Sequence, residues 1–423
     1  MLVYFKVGNF KSIKDPILIN FAATSINEHQ ETNVFEDGKD KLLKTVLLYG
    51  PNASGKSKIL DAFVAFRAMI LGSSSYNSTR QIPVYPFDLN PDTRKSPSFF
   101  EAEFIVKNKK YRYGFEADEK EVSKEWLLEV KATTQTPLFL RIGQKFQIDH
   151  KKFANAKSLE TKCNSNVLFL SVADQWNAPL AKAIYAWFDS IYTIHGIMDE
   201  AYKDYTNQLM KIPLYNALIN NMIRKADLGI NSIDVVELTE DEKNNVLKAL
   251  PKSLQEKFNE VIEENKTPVF TRHNVYDNNG KVIDEISFNL DAQESEGTKK
   301  FYNIIGLLLH AVREGRLVVI DEIDARIHTL LSRAIIRMFN GKDVKSAAQI
   351  LGVCHDTALM DKDLLRRDQI YLVEKDEFAS TTVINLVEYK VRKETPFFKN
   401  YLEGKYGGIP FIENLENVLK GGQ

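Results

Sequence analysis

The sequence predicts an α/β protein, and three observations carry that prediction. A short apolar run, Thr45-Val46-Leu47-Leu48-Tyr49, leads directly into Gly50 and then into a helical stretch from Lys56 to Leu71. A run that apolar over strand length suits a strand covered on both faces. Further along, Leu317 to Ile320 and Gln349 to Val353 repeat the pattern around a helical segment, His328 to Phe339. The stretch from about residue 97 to 148 reads differently, as antiparallel strands with visible alternation and turn residues.

Taken in order, Leu2 to Val7 and Pro16 to Phe21 read as strands joined by a turn at Lys14-Asp15. Ser73 to Asn77 is a polar loop, and Pro83, Pro86, Pro91 and Pro97 exclude a continuous helix after it. Strands follow at Phe99 to Lys107 and Lys110 to Ala117, then near Trp126 to Thr133 and Phe139 to Ile148. Leu180, Ile184, Trp187, Phe188 and Ile191 recur at three and four residues, the stripe of a core-facing helix. A second helical stretch, Leu247 to Ile262, is broken by Pro251, with a strand before it around Ser232 to Leu238. Asp277-Asn278-Asn279-Gly280 is a hairpin turn between Val269 to Tyr276 and Val282 to Leu290. Thr298 to Ala311 is a helix, and Gln369 to Val373 a further strand.

Composition narrows the class. The 423 residues carry 56 Lys and Arg against 57 Asp and Glu, a formal charge of −1, so a chain coated in basic residues for nucleic acid is not expected. With 44% apolar and 27% charged residues, the chain is neither collagen-like nor broadly disordered. Two cysteines, Cys163 and Cys354, cannot build a disulfide framework. No secretory signal and no bilayer-length apolar run is visible, so a cytoplasmic protein without a membrane segment is expected.

Gly50-Pro51-Asn52-Ala53-Ser54-Gly55-Lys56-Ser57 fits G-x-x-x-x-G-K-[ST], the Walker A motif, between a strand and a helix as the motif demands. Glycines let the backbone curl so that N–H groups face phosphate oxygens, and the helix N-terminus adds partial positive charge. Lys56 is expected on the β/γ-phosphates of ATP and the Ser57 hydroxyl on Mg²⁺. Leu317-Val318-Val319-Ile320-Asp321-Glu322 supplies the Walker B pattern, with Asp321 assigned to the Mg²⁺ shell and Glu322 to the attacking water. An acidic helix cap is the plainer reading of those two carboxylates.

Three further features follow the same order along the chain. In Gln293-Glu294-Ser295-Glu296-Gly297-Thr298, a serine and glycine open a helix before the Walker B strand. This resembles the ABC-type signature, which would act on the ATP of the opposite subunit; a simple N-cap by Ser295 fits the residues too. His355, at the end of Gln349 to Val353, matches the position of an ABC switch histidine, and Asp324 that of the dimer-communication loop. Gln81 is a candidate for the coupling glutamine by position only.

Together these motifs resemble ABC/SMC-type P-loop NTPase heads, with an antiparallel β region and a mostly helical insertion. Val7-Gly8-Asn9-Phe10-Lys11-Ser12-Ile13 looks like the start of RecF and SMC relatives. Walker A and Walker B lie 265 residues apart, but no sustained heptads fill the gap, so no long coiled-coil arm is expected. A closer resemblance is to bacterial ATP-binding proteins of the RloA/AbiLi kind, and to the PARIS ATPase subunit. It rests on Pro97 to Glu101, Tyr111 to Phe115, Glu294 to Thr298, Asp321 to Asp324 with His328, and His355 to Thr357. The tail segments Leu364 to Ile370, Glu374 to Asp376 and Tyr401 to Gly407 add to it.

That resemblance implies an ATPase of phage defence that assembles with itself, as a head-to-head dimer or higher oligomer. It would control a separate effector, such as a TOPRIM-like or RloB-like nuclease, in response to a nucleic-acid or phage-protein trigger. OLD-family relatives fuse a TOPRIM domain behind the head. Only sixty-eight residues follow His355, and Glu374 with Asp376 reads as a solvated strand end, so no intrinsic nuclease is expected. The rival reading is a RecF-like DNA-binding repair ATPase. Lys107, Lys109, Lys110 and Arg112, Lys151 with Lys152, and Lys390, Arg392 and Lys393 are its basic clusters, each also fitting a solvated surface. The expected organisation is a head in two parts, residues 1–175 and 285–423, around an insertion at 176–284.

Overall fold

The computed structural model describes residues 1–236, 267–342, 346–389 and 396–409. They form two compact units: Met1–Thr193 with Gly315–Ile323 and Ile336–Gln423, and Ile194–Glu314 with Asp324–Ile335. The helix from Pro179 packs into the first unit's core, and the helix that opens at Glu296 is grouped with the second.

The first unit contains two sheets. Strands β1 (Leu2–Gly8) and β2 (Ile17–Asn20) join an antiparallel sheet, and β3 (Val34–Asp37) with β4 (Asp40–Leu43) makes a small hairpin. Next come β5 (Thr45–Tyr49), every residue of it buried, and helix α1 (Lys56–Gly72). The antiparallel region continues with β6 (Ser98–Val106), β7 (Lys109–Ala117), β8 (Val122–Val130), β9 (Gln135–Ile142) and β10 (Lys145–Ile148). Its strand order is β10-β9-β8-β7-β6-β1-β2. The run expected as one strand from Phe139 to Ile148 is a hairpin, because Gly143 takes a positive φ and turns the chain. Helices α2 (Phe169–Gln175) and α3 (Pro179–Asp189) follow, then β11 (Tyr192–His195), within which the first segment ends.

Helix α1 directs Ile59, Phe63, Phe66 and Ile70 into the core. Phe66 stacks on Phe115 at 5.6 Å and meets Phe188 of α3 edge-on at 5.6 Å, and Phe5 meets Phe63 edge-on at 5.0 Å. Aromatic pairs in these geometries add to the burial of their area.

In the second unit, α4 (Lys203–Met210), α5 (Pro213–Lys225) and the sheet β12 (Ser232–Val235), β13 (Val269–Tyr276), β14 (Val282–Asn289) precede the long helix α6 (Glu296–Glu314). Gly306 of α6 lets α4 approach closely: a Cβ there would lie 2.6 Å from Thr206 Oγ1. The expected helix Leu247 to Ile262 lies outside the described residues.

The second sheet of the first unit is completed by β15 (Leu317–Asp321), β16 (Gln349–Val353), β17 (Ile370–Lys375) and β18 (Thr381–Asn385), with α7 (Thr329–Asn340) between β15 and β16. Its order is β11-β15-β16-β5-β17-β18; β15, β16, β5 and β17 run parallel and β18 is antiparallel. The C-terminal ends of β15, β16 and β5 therefore share one edge of the sheet, where ligands of open α/β sheets bind. In the tail, α8 (Phe397–Leu402) leads to a turn whose Gly408 N–H donates to Glu374 Oε2 at 2.8 Å. Glu374 is thus a half-buried tie rather than a solvated strand end, and Asp376 Oδ1 closes the β17–β18 turn by accepting from Phe378 and Ser380 N–H.

Among the described residues, no helix is long and apolar enough to cross a membrane.

Candidate nucleotide-binding site

The strand β5 delivers the chain to the sheet edge, and Gly50 to Ser57 wraps there into α1. Gly50 and Gly55 take φ of 155° and 106°. Side chains are also excluded by space, since a Cβ on Gly50 would lie 2.0 Å from Val373 O and one on Gly55 2.0 Å from Thr381 Oγ1. Helix α1 begins at Gly55 with no side-chain cap and no acid in its first turn. Its opening N–H groups and the positive end of its dipole are therefore directed at the loop, where an anion can take the place of a cap.

Lys56 is buried and folded back on the loop, its Nζ donating to Gly50 O at 2.7 Å and Pro51 O at 2.9 Å. Ser54 is 2% exposed, and its Oγ is a buried polar atom with no hydrogen-bond partner, 3.0 Å from where a Gly50 Cβ would be. A buried hydroxyl without a partner is costly, and a phosphate oxygen in the loop would satisfy it.

Ser57 Oγ donates to Asp321 Oδ1 at 3.2 Å, across 264 residues of sequence. The Walker A hydroxyl and the Walker B carboxylate thus meet, although β16 lies between their two strands. Two hard oxygens at that separation are near the roughly 2.9 Å edge of an octahedral Mg²⁺ shell, so they fit that ion. Bound there with ATP, Mg²⁺ would neutralise phosphate charge; Ser57 and Asp321 would hold it.

Glu322, half-buried, has a φ of 51°, a left-handed conformation that a non-glycine residue adopts at a cost of about 1–2 kcal/mol. The Ile323 N–H donates to Val353 O at 3.1 Å, which holds the bend just past the strand. This places the carboxylate beyond the end of β15 rather than along it. His355 is exposed just past β16, the strand between β15 and β5. It therefore belongs to the same edge as Asp321 and the loop.

Ser295, Glu296, Gly297, Thr298 and Asp324 are in the second unit. Ser295 Oγ accepts the Thr298 N–H at 3.2 Å and meets Thr298 Oγ1 at 2.9 Å, so the capping geometry is present. Gly297 is close to the backbone of the Asp324 loop: a Cβ there would lie 2.8 Å from Arg326 O. Lys300, fully buried, donates to Ala325 O at 2.6 Å. The turn at Ser295 to Thr298 and the loop at Asp324 to Arg326 are thus built as one piece. Gln81 is exposed on the connection between α1 and β6.

Sequence reasoning missed the other wall of the loop. Thr381 Oγ1 donates to Ser54 O at 2.9 Å, Ser12 Oγ lies 2.8 Å from Thr381 Oγ1, and Thr381 N donates to Ser12 O at 2.7 Å. The β-branched run Thr381-Thr382-Val383-Ile384 was the available signal for the strand, though not for its neighbour. The basic cluster on β7 is also different from its appearance in sequence. Lys110 pairs with Asp40 at 2.5 Å and Arg112 with Glu103 at 2.9 Å. Lys390, Arg392 and Lys393 lie outside the described residues.

A family model described as "AAA domain, putative AbiEii toxin, Type IV TA system" matches residues 46–361, a stretch that takes in the Gly50 to Ser57 loop and His355. The chain belongs to this AAA family. Solved structures similar to it include the SMC head domain from Thermotoga maritima, at 13% identity and a TM-score of 0.41 over 91% of this chain and 98% of that one. An SmcHead bound to the C-winged helix domain of ScpA is similar at 12% identity and 0.38, over 92% and 98%. A third is an Smc head with an extended coiled coil bound to the C-terminal domain of ScpA derived from Pyrococcus furiosus, at 12% and 0.35, over 92% and 97%. No curated protein matches. The architecture of this AAA protein is α/β, with the Gly50 to Ser57 loop at the edge of a mostly parallel sheet and a separate antiparallel β region, as the motifs predict.

Proposed function

We propose that this protein is the ATP-binding and ATP-hydrolysing subunit of a bacterial anti-phage system, and that its nucleotide state controls a separate effector. The observation that carries the ATPase part is the meeting of Ser57 with Asp321 at the sheet edge that also bears Glu322 and His355. In this reading the loop amides and Lys56 bind the phosphates, Glu322 orients and deprotonates the attacking water, and His355 contacts the γ-phosphate. Ser295 to Thr298 complete the site of an opposite subunit, which makes ATP the glue of a dimer. The toxin–antitoxin wording of the family description supports a two-protein system, and a nuclease of TOPRIM-like or RloB-like chemistry is the proposed effector. The pairing of Lys110 and Arg112 with acids weighs against a DNA track on β7.

The test pairs Glu322→Gln, which binds ATP but turns it over slowly, with Lys56→Ala, which loses most of its ATP affinity. With Mg²⁺ and ATP, sedimentation should give a doubled mass for the first and not for the second. The co-encoded effector should bind the two forms with affinities at least about tenfold apart. Equal affinities would remove nucleotide control, and ATP-dependent duplex DNA binding without any partner would favour the repair reading.

A further inference from the structure

The hairpin β17–β18 touches the phosphate loop at both ends. Val373 O lies where a Gly50 side chain would start, and the Thr381 hydroxyl where a Gly55 side chain would start. Thr381 is 1% exposed, so its hydroxyl must find its partners inside the protein.

Those partners fix the direction of the hydrogen bonds. A carbonyl oxygen only accepts, so the single Thr381 O–H proton points at Ser54 O, 2.9 Å away. Thr381 Oγ1 can then only accept from Ser12, whose Oγ lies at 2.8 Å. The order is Ser12 O–H to Thr381 O–H to the Ser54 carbonyl. The Ser54–Gly55 peptide is trans, and in a trans peptide the N–H points opposite the C=O. Holding the Ser54 carbonyl outward toward β18 therefore turns the Gly55 N–H inward, to the concave side of the loop. The same tether holds Ser54, whose own buried Oγ lacks a partner.

We propose that Thr381 is a positioning residue of the phosphate loop: its hydroxyl, supported by Ser12, anchors the Ser54 carbonyl and so aims the Gly55 amide at the β-phosphate of a bound nucleotide. This rests on the reading of Gly50 to Ser57 as an ATP loop. Thr381 touches no substrate itself. It acts through one peptide plane, and the geometry explains why position 55 must be glycine: Thr381 occupies the space of a Cβ.

Titration of a fluorescent ATP analogue, displaced by ATP, ADP or AMP, tests this on the full chain. Thr381→Val keeps the shape and removes the hydroxyl, leaving a buried carbonyl without its donor. ATP and ADP affinity should fall about tenfold, and AMP affinity by less than about twofold, because the cradle holds the phosphates beyond the first. KM for ATP should rise more than kcat falls. Thr381→Ser should restore affinity to within about threefold of the parent, and Ser12→Ala should lose less than Thr381→Val, because Thr381 can still donate. A melting temperature measured on each variant separates affinity lost in the folded protein from failure to fold, and the rescue by serine does so again. Unchanged ATP affinity in a folded Thr381→Val protein overturns the proposal, as does a serine variant as weak as the valine one. If the parent itself shows no ATP affinity, the reading of the loop falls, and the proposal with it.

Discussion

Arg141 and Lys56 are both buried cations of the first unit, and their surroundings differ in kind. The Arg141 side chain is 0% exposed and its fork is filled by protein. It donates to Glu125 at 3.3 Å and to the carbonyls of Gly143, Asn164, Ser165 and Val167. Glu125 is saturated in turn by Tyr113 and by the Phe169 and Leu170 N–H groups that open α2. Burial, with the neighbouring Glu125 carboxylate, pushes the Tyr113 hydroxyl far up, and burial pushes the Cys163 thiol up to about 12 against the pull of Arg141. The Tyr113 hydroxyl and the Cys163 thiol therefore keep their protons at neutral pH. The loop around Lys56 contrasts with this: its helix lacks a cap, its Ser54 hydroxyl lacks a partner, and Glu322 sits in a left-handed backbone. Complete satisfaction marks the cation that holds the fold. The missing cap and the unpartnered Ser54 hydroxyl around Lys56 suit a site that a bound anion would complete.

The same substitution at the two positions should separate them. Arg141→Met leaves Glu125 buried without its counter-charge, which should cost about 3–5 kcal/mol in urea unfolding. ATP affinity of the protein that remains folded should stay within about twofold. A loss below about 1 kcal/mol would mean that the pair does not anchor α2 to the antiparallel sheet. Lys56→Met should do the reverse, lowering ATP affinity by roughly a hundredfold, the equivalent of about 3 kcal/mol, while stability without nucleotide changes by less than about 1 kcal/mol. A Lys56→Met protein that unfolds as readily as Arg141→Met would erase the distinction.

The two regions also differ in how far they could be read in sequence. The loop, its strand and its helix are contiguous, so Gly50 to Ser57 is visible at once. The acids and the histidine are announced by buried strands that end at the same sheet edge. Contacts across long stretches of chain leave no such local mark. Ser12 and Thr381 are 369 residues apart, and nothing in either neighbourhood names the other. The acidic partners of the basic residues on β7 were hidden for the same reason: Glu103 sits across the ladder from Arg112, and Asp40 comes from another hairpin. Helices α4 and α5 fall in the insertion expected to be mostly helical, but their bounds were not legible because polar residues such as Asn207 and Asn303 share their core. Asn207 accepts from Tyr302 and Asn303 donates to Asp199, a hydrogen-bonded interior that an apolar stripe does not describe.

The sheet edge bearing Lys56, Ser57, Asp321 and Glu322 is the proposed seat of ATP hydrolysis. Single-turnover hydrolysis with Mg²⁺, compared between the parent protein and Glu322→Gln, tests it most directly. Replacing the general base by its neutral isostere should slow phosphate release from bound ATP by roughly 10²–10⁴-fold, with ATP affinity within about threefold of the parent. Equal rates in the two proteins would contradict the assignment.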